Sequence, residues 1–327
     1  MSRILVAGAG GFIGGWLVRE LIAQGNEIVA VDVKPKEDWY QVHDKATNYS
    51  RDLSVLKECQ VSAIGVDEIY NLAADLGGMG FIENNKAACM LSVLINTHLL
   101  VAAKENNVKK FFFASSACVY NASKQDRTDI DGLKEEDAYP AMPEDGYGWE
   151  KLFSERMCRH FYEDYGIETR IARYHNVYGP HGTWDGGREK APAALSRKVA
   201  FAKISGSHEI EIWGDGEQTR SFTYISDCIE GTIRLMESDF REPLNVGSDQ
   251  MVSINQMADI LGGIAGISLD KKFNLSAPKG VRGRNSDNTK IKEALGWAPD
   301  VTLERGLQET YMWILNEIHA SGKSLKE

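Results

Sequence analysis

Three short clusters carry side chains whose types and spacing could do chemistry. The first is a glycine-rich turn near the amino terminus, Gly8-Ala9-Gly10-Gly11-Phe12-Ile13-Gly14. The second is the pair Tyr147 and Lys151. The third, Ser115-Ser116-Ala117-Cys118, ends an apolar aromatic run. The turn suits a dinucleotide, because glycine lets the backbone approach a pyrophosphate and a helix amino terminus offers free N–H groups and positive potential. Asp32, where a second strand should end, accepts hydrogen bonds from ribose hydroxyls and repels a 2′-phosphate, which favours NAD over NADP. Tyr147 and Lys151 sit one helical turn apart and face the same side. An ammonium there is expected to lower the phenol pKa, so that the tyrosine takes a proton at neutral pH. Ser116 would bond the same substrate oxygen. Together these groups suit nicotinamide-dependent oxidation of an alcohol.

Cys118 is not needed for that reaction. A thiol ionises near ~8.5 and is readily tuned downward by cations, so Cys118 adds a second acid/base beside the first. That points to proton transfer next to a transient ketone. Taken alone, a free cysteine is as readily a small buried hydrophobe. Cys59, Cys89, Cys158 and Cys228 are read in that way.

These side chains need a scaffold that brings them to one place. Residues 4–7, 27–31, 69–72 and 111–115 read as short apolar strands, and residues 12–24, 84–106 and 148–165 as helices. Alternating apolar strands and helices predict an α/β fold with a parallel sheet covered on both faces. Such sheets bind ligands at the carboxyl ends of their strands, near the topological switch point. Gly8, Asp32, Ala73, Ser116 and Tyr147 all fall just after strands or at helix starts, so they should converge there. Beyond residue 178 the pattern is less regular. Residues 179–190 read as an ordered loop, 213–216 as a tight turn, 276–288 as a ligand loop and 303–318 as a packed terminal helix. The expected division is a cofactor-binding domain over 1–178, to which 213–240 returns, and a smaller substrate lobe over 179–212 and 241–320.

Composition narrows the function classes. The 327 residues carry a net charge of −10 and no long basic run, which argues against a nucleic-acid partner. No run of 18 apolar residues occurs, so no membrane span is expected. The five cysteines are scattered and never spaced Cys-x-x-Cys, a pattern suited to a reducing, cytoplasmic setting without a zinc site. His175 and His181 are read as loop and pocket residues, not as a metal pair.

Over essentially its whole length the chain resembles the extended short-chain dehydrogenase/reductase family. Within it, Asn71-Leu72-Ala73-Ala74-Asp75-Leu76-Gly77-Gly78-Met79-Gly80-Phe81, Gly186-Gly187-Arg188-Glu189-Lys190-Ala191-Pro192 and Gly280-Val281-Arg282-Gly283-Arg284-Asn285-Ser286-Asp287 resemble the branch that inverts carbons 3 and 5 of a GDP-bound hexose. A 4,6-dehydratase of the family typically places an acidic residue after the serine strand, where this chain has Ala117-Cys118.

The resemblance implies a Rossmann-type doubly wound sheet with a smaller C-terminal lobe. It also implies tightly bound NAD, held by Gly8, Gly11, Phe12, Ile13, Gly14, Asp32, Asp52, Leu53, Leu72, Ala73 and Ala74 together with Tyr147 and Lys151. The implied catalytic set is Tyr147, Lys151, Ser116, Cys118 and Lys190, the thiol and the ammonium acting on opposite faces of the sugar, with burial tuning the lysine downward. Gly77, Ala117, Asn176, Glu189, Ala191, Lys198, Gln218, Thr219, Arg220 and Arg284 would complete the substrate contacts. The implied reaction converts GDP-mannose to GDP-L-galactose, with GDP-L-gulose when only C5 is inverted. It proceeds by oxidation at C4, proton exchange at C3 and C5, and re-reduction. Relatives pair helices corresponding to 84–106 and 148–165, which implies a homodimer.

Overall fold

A computed structural model describes residues 1–278 and 280–321. Its main sheet has seven strands, all parallel, in the spatial order Leu244–Val246, Glu168–Tyr174, Lys110–Ser116, Glu68–Asn71, Arg3–Ala7, Glu27–Asp32, Thr47–Ser50. Chain order reverses between Arg3–Ala7 and Glu68–Asn71, which makes the ends of these two strands the switch point.

Alternation along each strand divides the core into two layers. Ile4, Val6 and Phe112 face the helices Phe12–Ala23 and Ile225–Glu237. Leu5, Ala7, Phe111 and Phe113 face the helices Leu56–Ser62, Val93–Glu105 and Asp145–Tyr165. Strands buried on both faces read as continuous apolar runs, as the sequence of Lys110–Ser116 does.

The smaller lobe packs helices Ala191–Ser205, Ile254–Ala265 and Leu303–Ser321 together. Beside them lie a two-stranded sheet, Glu209–Trp213 with Asp270–Asn274, and a three-stranded one built from Met251–Ser253, Thr219–Ser221 and Gly283–Arg284. Lys279 of the expected ligand loop lies outside the described residues.

Two expectations need correction. The helix expected over 84–106 is divided into Met79–Asn84, Lys86–Leu91 and Val93–Glu105. Asn85 leaves the helical region at φ −131° and ψ 40°, and the Ser92 hydroxyl at the second break accepts the Asp75 N–H at 3.0 Å. The lobe boundary also moves. Trp213 and residues 219–221, expected in the cofactor-binding domain, belong to the small sheets, whereas Leu244–Val246, expected in the smaller lobe, is an outer strand of the main sheet. Three fully buried residues are too few to show a period. The stretch Lys86–Glu105 is long and apolar enough by composition to cross a membrane, with a mean hydropathy of 1.5. It packs here against Leu56–Ser62 and Asp145–Tyr165.

Candidate active site

The glycine turn joins the first strand to the helix Phe12–Ala23 at the switch point. Gly8 has φ +83°, and a Cβ there would lie 2.9 Å from the Ala73 nitrogen. A Cβ on Gly14 would lie 2.1 Å from the Gly8 carbonyl oxygen. The backbone is thus drawn tight under a helix amino terminus, leaving a shallow cradle that suits a pyrophosphate. Asp32 closes the second strand, 8% exposed, with its carboxylate accepting the Lys34 N–H at 3.1 Å. The Lys34 ammonium folds back to the Gly10 carbonyl at 2.7 Å. Asp52 is exposed and Leu53 buried on the same side, while Leu72, Ala73 and Ala74 run past the turn, half-buried. Phe12 and Ile13 pack partly against the core. These groups fit a dinucleotide with a free 2′-hydroxyl.

Cys118, Tyr147 and Cys89 form one buried cluster, with Leu76, Phe81 and Ile82 packed against it. The strand Lys110–Ser116 ends in a short 3₁₀ turn at Ala117–Val119, where the Ser116 hydroxyl accepts the Cys118 N–H at 3.2 Å. The Ser116 hydroxyl faces Tyr147 and favours its ionised form. The thiol receives a hydrogen bond from Arg284 Nη1 at 3.6 Å. Arg284 Nε donates to Gln125 Oε1 at 2.7 Å, and its Nη2 donates to the Glu144 carboxylate.

Burial decides the electrostatics here, and it reverses two expectations. The Tyr147 hydroxyl is pushed well above its ordinary pKa, first by burial and then by Cys118 and Glu150, with Ser116 pulling weakly the other way. Lys151 is not among the largest influences on it. The ammonium lies 5.5 Å from the Tyr147 ring centre and pairs with Glu150. The Cys118 thiol is likewise raised, by burial first and Glu144 second, against the opposing pull of Arg284 and Ser116. Lys190 behaves as expected: burial pulls its ammonium down, while Cys118 acts in the opposite sense.

Half-buried Arg220 and buried Arg284 lie near each other. Burial pushes Arg220 down to about 10, and Arg284 adds to the effect. For Arg284 burial again opposes the charge, but Glu144 and Cys118 outweigh it and raise the guanidinium above its ordinary value. Both guanidiniums feel the Glu144 carboxylate, and together they place two cations where an anionic ligand could bind. Arg220 currently donates to the carbonyls of Thr219, at 2.7 Å, and Val281, at 2.5 Å.

The remaining expected contacts are spread around this cluster. Gly78 N–H donates to the Arg188 carbonyl at 3.0 Å, which ties the loop containing Gly77 to that of Glu189 and Lys190. Glu189 accepts from the Gly187 N–H at 2.7 Å and from Arg197 at 2.8 Å. Lys190 caps the helix that opens at Ala191. Ala117 is buried. Asn176, with φ +42°, donates to the Ser221 carbonyl, and the Thr219 hydroxyl donates to the Thr128 carbonyl. Gln218 donates to the Trp213 carbonyl at 2.9 Å, while its buried Oε1 has no hydrogen-bond partner. The Lys198 ammonium donates to the Glu211 carbonyl at 2.7 Å. Sequence reasoning missed Gln125, Glu144 and Glu150, which matter only through the neighbours the fold gives them.

Comparison with known proteins places this geometry among others. Residues 4–247 match the family model described as the NAD dependent epimerase/dehydratase family. The chain is 50% identical over 321 residues to GDP-mannose 3,5-epimerase 1 of Oryza sativa subsp. japonica, covering 97% of this chain and 82% of the relative. It is 48% identical to GDP-mannose 3,5-epimerase of Arabidopsis thaliana, covering 97% and 83%. Among solved structures it is similar to UDP-glucose 4-epimerase of Thermotoga maritima with UDP-glucose, at a TM-score of 0.86 and 26% identity over 97% of this chain and 99% of that one. It is also similar to UDP-glucuronic acid 4-epimerase of Bacillus cereus with UDP-glucuronic acid and NAD, at 0.83 and 27% over 96% and 99%.

Proposed function

The chain belongs to the NAD dependent epimerase/dehydratase family, and from that premise we propose that it converts GDP-mannose to GDP-L-galactose, with GDP-L-gulose when only C5 is inverted. The observation that carries this reading is the thiol of Cys118 in one buried cluster with Tyr147, within electrostatic reach of Lys190. Neither oxidation nor reduction at C4 needs that thiol.

The glycine turn, Asp32 and the strand ends around Ala73 would hold the cofactor, with Lys151 beside it. When bound, NAD would supply reversible hydride transfer with the sugar C4, so that no cofactor is consumed. Tyr147 takes the C4 hydroxyl proton while Ser116 bonds the same oxygen. With C4 as a ketone, the hydrogens on C3 and C5 become acidic because the carbanion is delocalised as an enolate. Cys118 then removes a proton from one face and Lys190 delivers one to the other. Burial pulls the Lys190 pKa down, which makes its ammonium a stronger acid and so a better proton donor to carbon. The guanidiniums of Arg220 and Arg284, with Gln218 and Lys198, would take the nucleoside diphosphate.

Incubation with GDP-mannose in deuterated water tests this directly. Label is expected at C3 and C5 of the recovered sugar. Its absence from either carbon would refute inversion at two centres.

We further propose a homodimer through the helices Lys86–Leu91, Val93–Glu105 and Asp145–Tyr165. Leu91 and Phe153, 62% and 54% exposed, lead an apolar face that also includes Met90, Leu94 and Trp149. A monomeric mass by light scattering at micromolar concentration would overturn this. Five free, buried cysteines suit a reducing, cytoplasmic setting.

A further inference from the structure

Inverting two carbons with one base and one acid leaves protons in the wrong place. On the 3,5-epimerase reading, the hydrogens on C3 and C5 of mannose project from the same face of the ring. A base on that face must meet both in the same charge state. After the first inversion Cys118 has gained a proton and Lys190 has lost one. Before the second carbon can react, the thiol proton must leave and the amine must regain one.

The surroundings of Cys118 offer a route. The Glu144 N–H donates to the Cys118 carbonyl at 3.0 Å, which sets this residue beside the thiol. Arg284 donates from Nη1 to the Cys118 sulfur and from Nη2 to the Glu144 carboxylate, while its Nε is fixed on Gln125. One planar fork therefore clamps thiol and carboxylate together. Cys118 is buried and Glu144 only half-buried, so the carboxylate is the more open of the two to water.

We propose that Glu144 is a positioning residue acting through Cys118: it accepts the thiol proton after each inversion and passes it to water, while Arg284 holds the two groups in register. The S–H bond breaks, an O–H bond forms on the carboxylate, and the electron pair stays on sulfur as a thiolate facing the Arg284 guanidinium. The carboxylic acid then releases the proton to water. Lys190 takes one proton from water, so each reset releases one proton and consumes one.

The test uses the full chain with its NAD and reads the initial ratio of GDP-L-galactose to GDP-L-gulose. Glu144→Gln keeps the size of the side chain and loses the basic oxygen. The ratio should fall by about tenfold or more, the modest end of what a positioned proton carrier contributes. Reduced nicotinamide, read by absorbance on adding GDP-mannose, should still form. Glu144→Asp keeps a carboxylate with shorter reach and should fall between Glu144→Gln and wild type. An unchanged ratio in Glu144→Gln, or a fall of both products by one common factor, overturns the proposal, because a merely structural role acts on both carbons alike. If Glu144→Gln does not fold, Glu144→Asp carries the test, and an unchanged ratio there overturns it. A wild-type protein that forms neither product overturns the 3,5-epimerase reading instead, so the two failures are told apart.

Discussion

Glu150 Oε2 lies 3.4 Å from Lys151 Nζ, and 1% and 3% of the two side chains are exposed. Glu150 Oε1 accepts a hydrogen bond from Ser154 at 3.0 Å, whereas Oε2 has no hydrogen-bond partner. The lysine beside Tyr147 therefore does not act as a lone cation. Its charge is shared with a carboxylate on the adjacent residue, which itself opposes ionisation of the tyrosine.

Glu150→Gln separates these effects. The groups facing Tyr147 are Cys118 from the serine-strand turn, Cys89 from the helix Lys86–Leu91, and Glu150 with Lys151 from its own helix. Removing the Glu150 charge lowers the Tyr147 pKa, so the base becomes available at lower pH. The acid limb of kcat/KM should move down by about one unit, the scale of one nearby charge. A limb that stays in place or moves up would show that Glu150 is not a counter-charge to this pair.

The limits of sequence reading follow from the same residues. The glycine turn, Asp32 and the Tyr147–Lys151 pair were legible because backbone sterics and helical spacing encode them within a few positions. Glu150 was not, because the intervening positions of Tyr-x-x-x-Lys accept any residue and its effect comes from burial. Glu144 and Gln125 gain meaning from Arg284, which is 140 and 159 positions away in the chain. The directions of the Tyr147 and Cys118 shifts were misread for a related reason. A sequence displays nearby cations, but not the loss of water that here outweighs them. The strand Leu244–Val246 was missed because three residues carry no period.

Gly14→Ala tests the cofactor cradle. The added carbon would lie 2.1 Å from the Gly8 carbonyl oxygen, so backbone must shift. Overpacking of this kind costs about 1–3 kcal/mol, and the distortion falls where the pyrophosphate would sit. The purified variant should carry little NAD, measured after acid release, and melt at lower temperature. Full NAD content with an unchanged Tm would refute the cradle.

Arg173 and Glu155 form a buried ion pair whose role is structural. Arg173 Nε and Nη2 donate to the two carboxylate oxygens at 2.9 and 2.7 Å, and the Ser115 hydroxyl donates to Oε1 at 2.5 Å. Both charged residues are almost fully buried. Glu155→Gln leaves the guanidinium without its counter-charge, which costs on the order of 3 kcal/mol and should lower Tm by several degrees. The ratio of epimer products from the folded fraction should not change. A shifted ratio at unchanged Tm would mean that the pair acts on the site and not on the fold.

The two halves of the proposed reaction should separate under mutation. Tyr147→Phe removes the base for the C4 hydroxyl, so no ketone forms and both inversions should stop together. Cys118→Ala leaves Tyr147, Ser116 and Lys151 in place, so oxidation at C4 continues while one face of the ring lacks its proton carrier. Cys118→Ser should be nearly as damaging, since a serine hydroxyl is a far weaker acid than a thiol at neutral pH. Lys190→Ala should fail in the same way on the opposite face. Losing one positioned acid or base should slow epimer formation by about a hundredfold or more. The discriminating measurement is the absorbance of enzyme-bound NADH after GDP-mannose is added. It should rise in Cys118→Ala and Lys190→Ala and stay near zero in Tyr147→Phe. Full turnover in Cys118→Ala would make that thiol a packing residue, like the other four, and would remove the observation on which the proposed function rests.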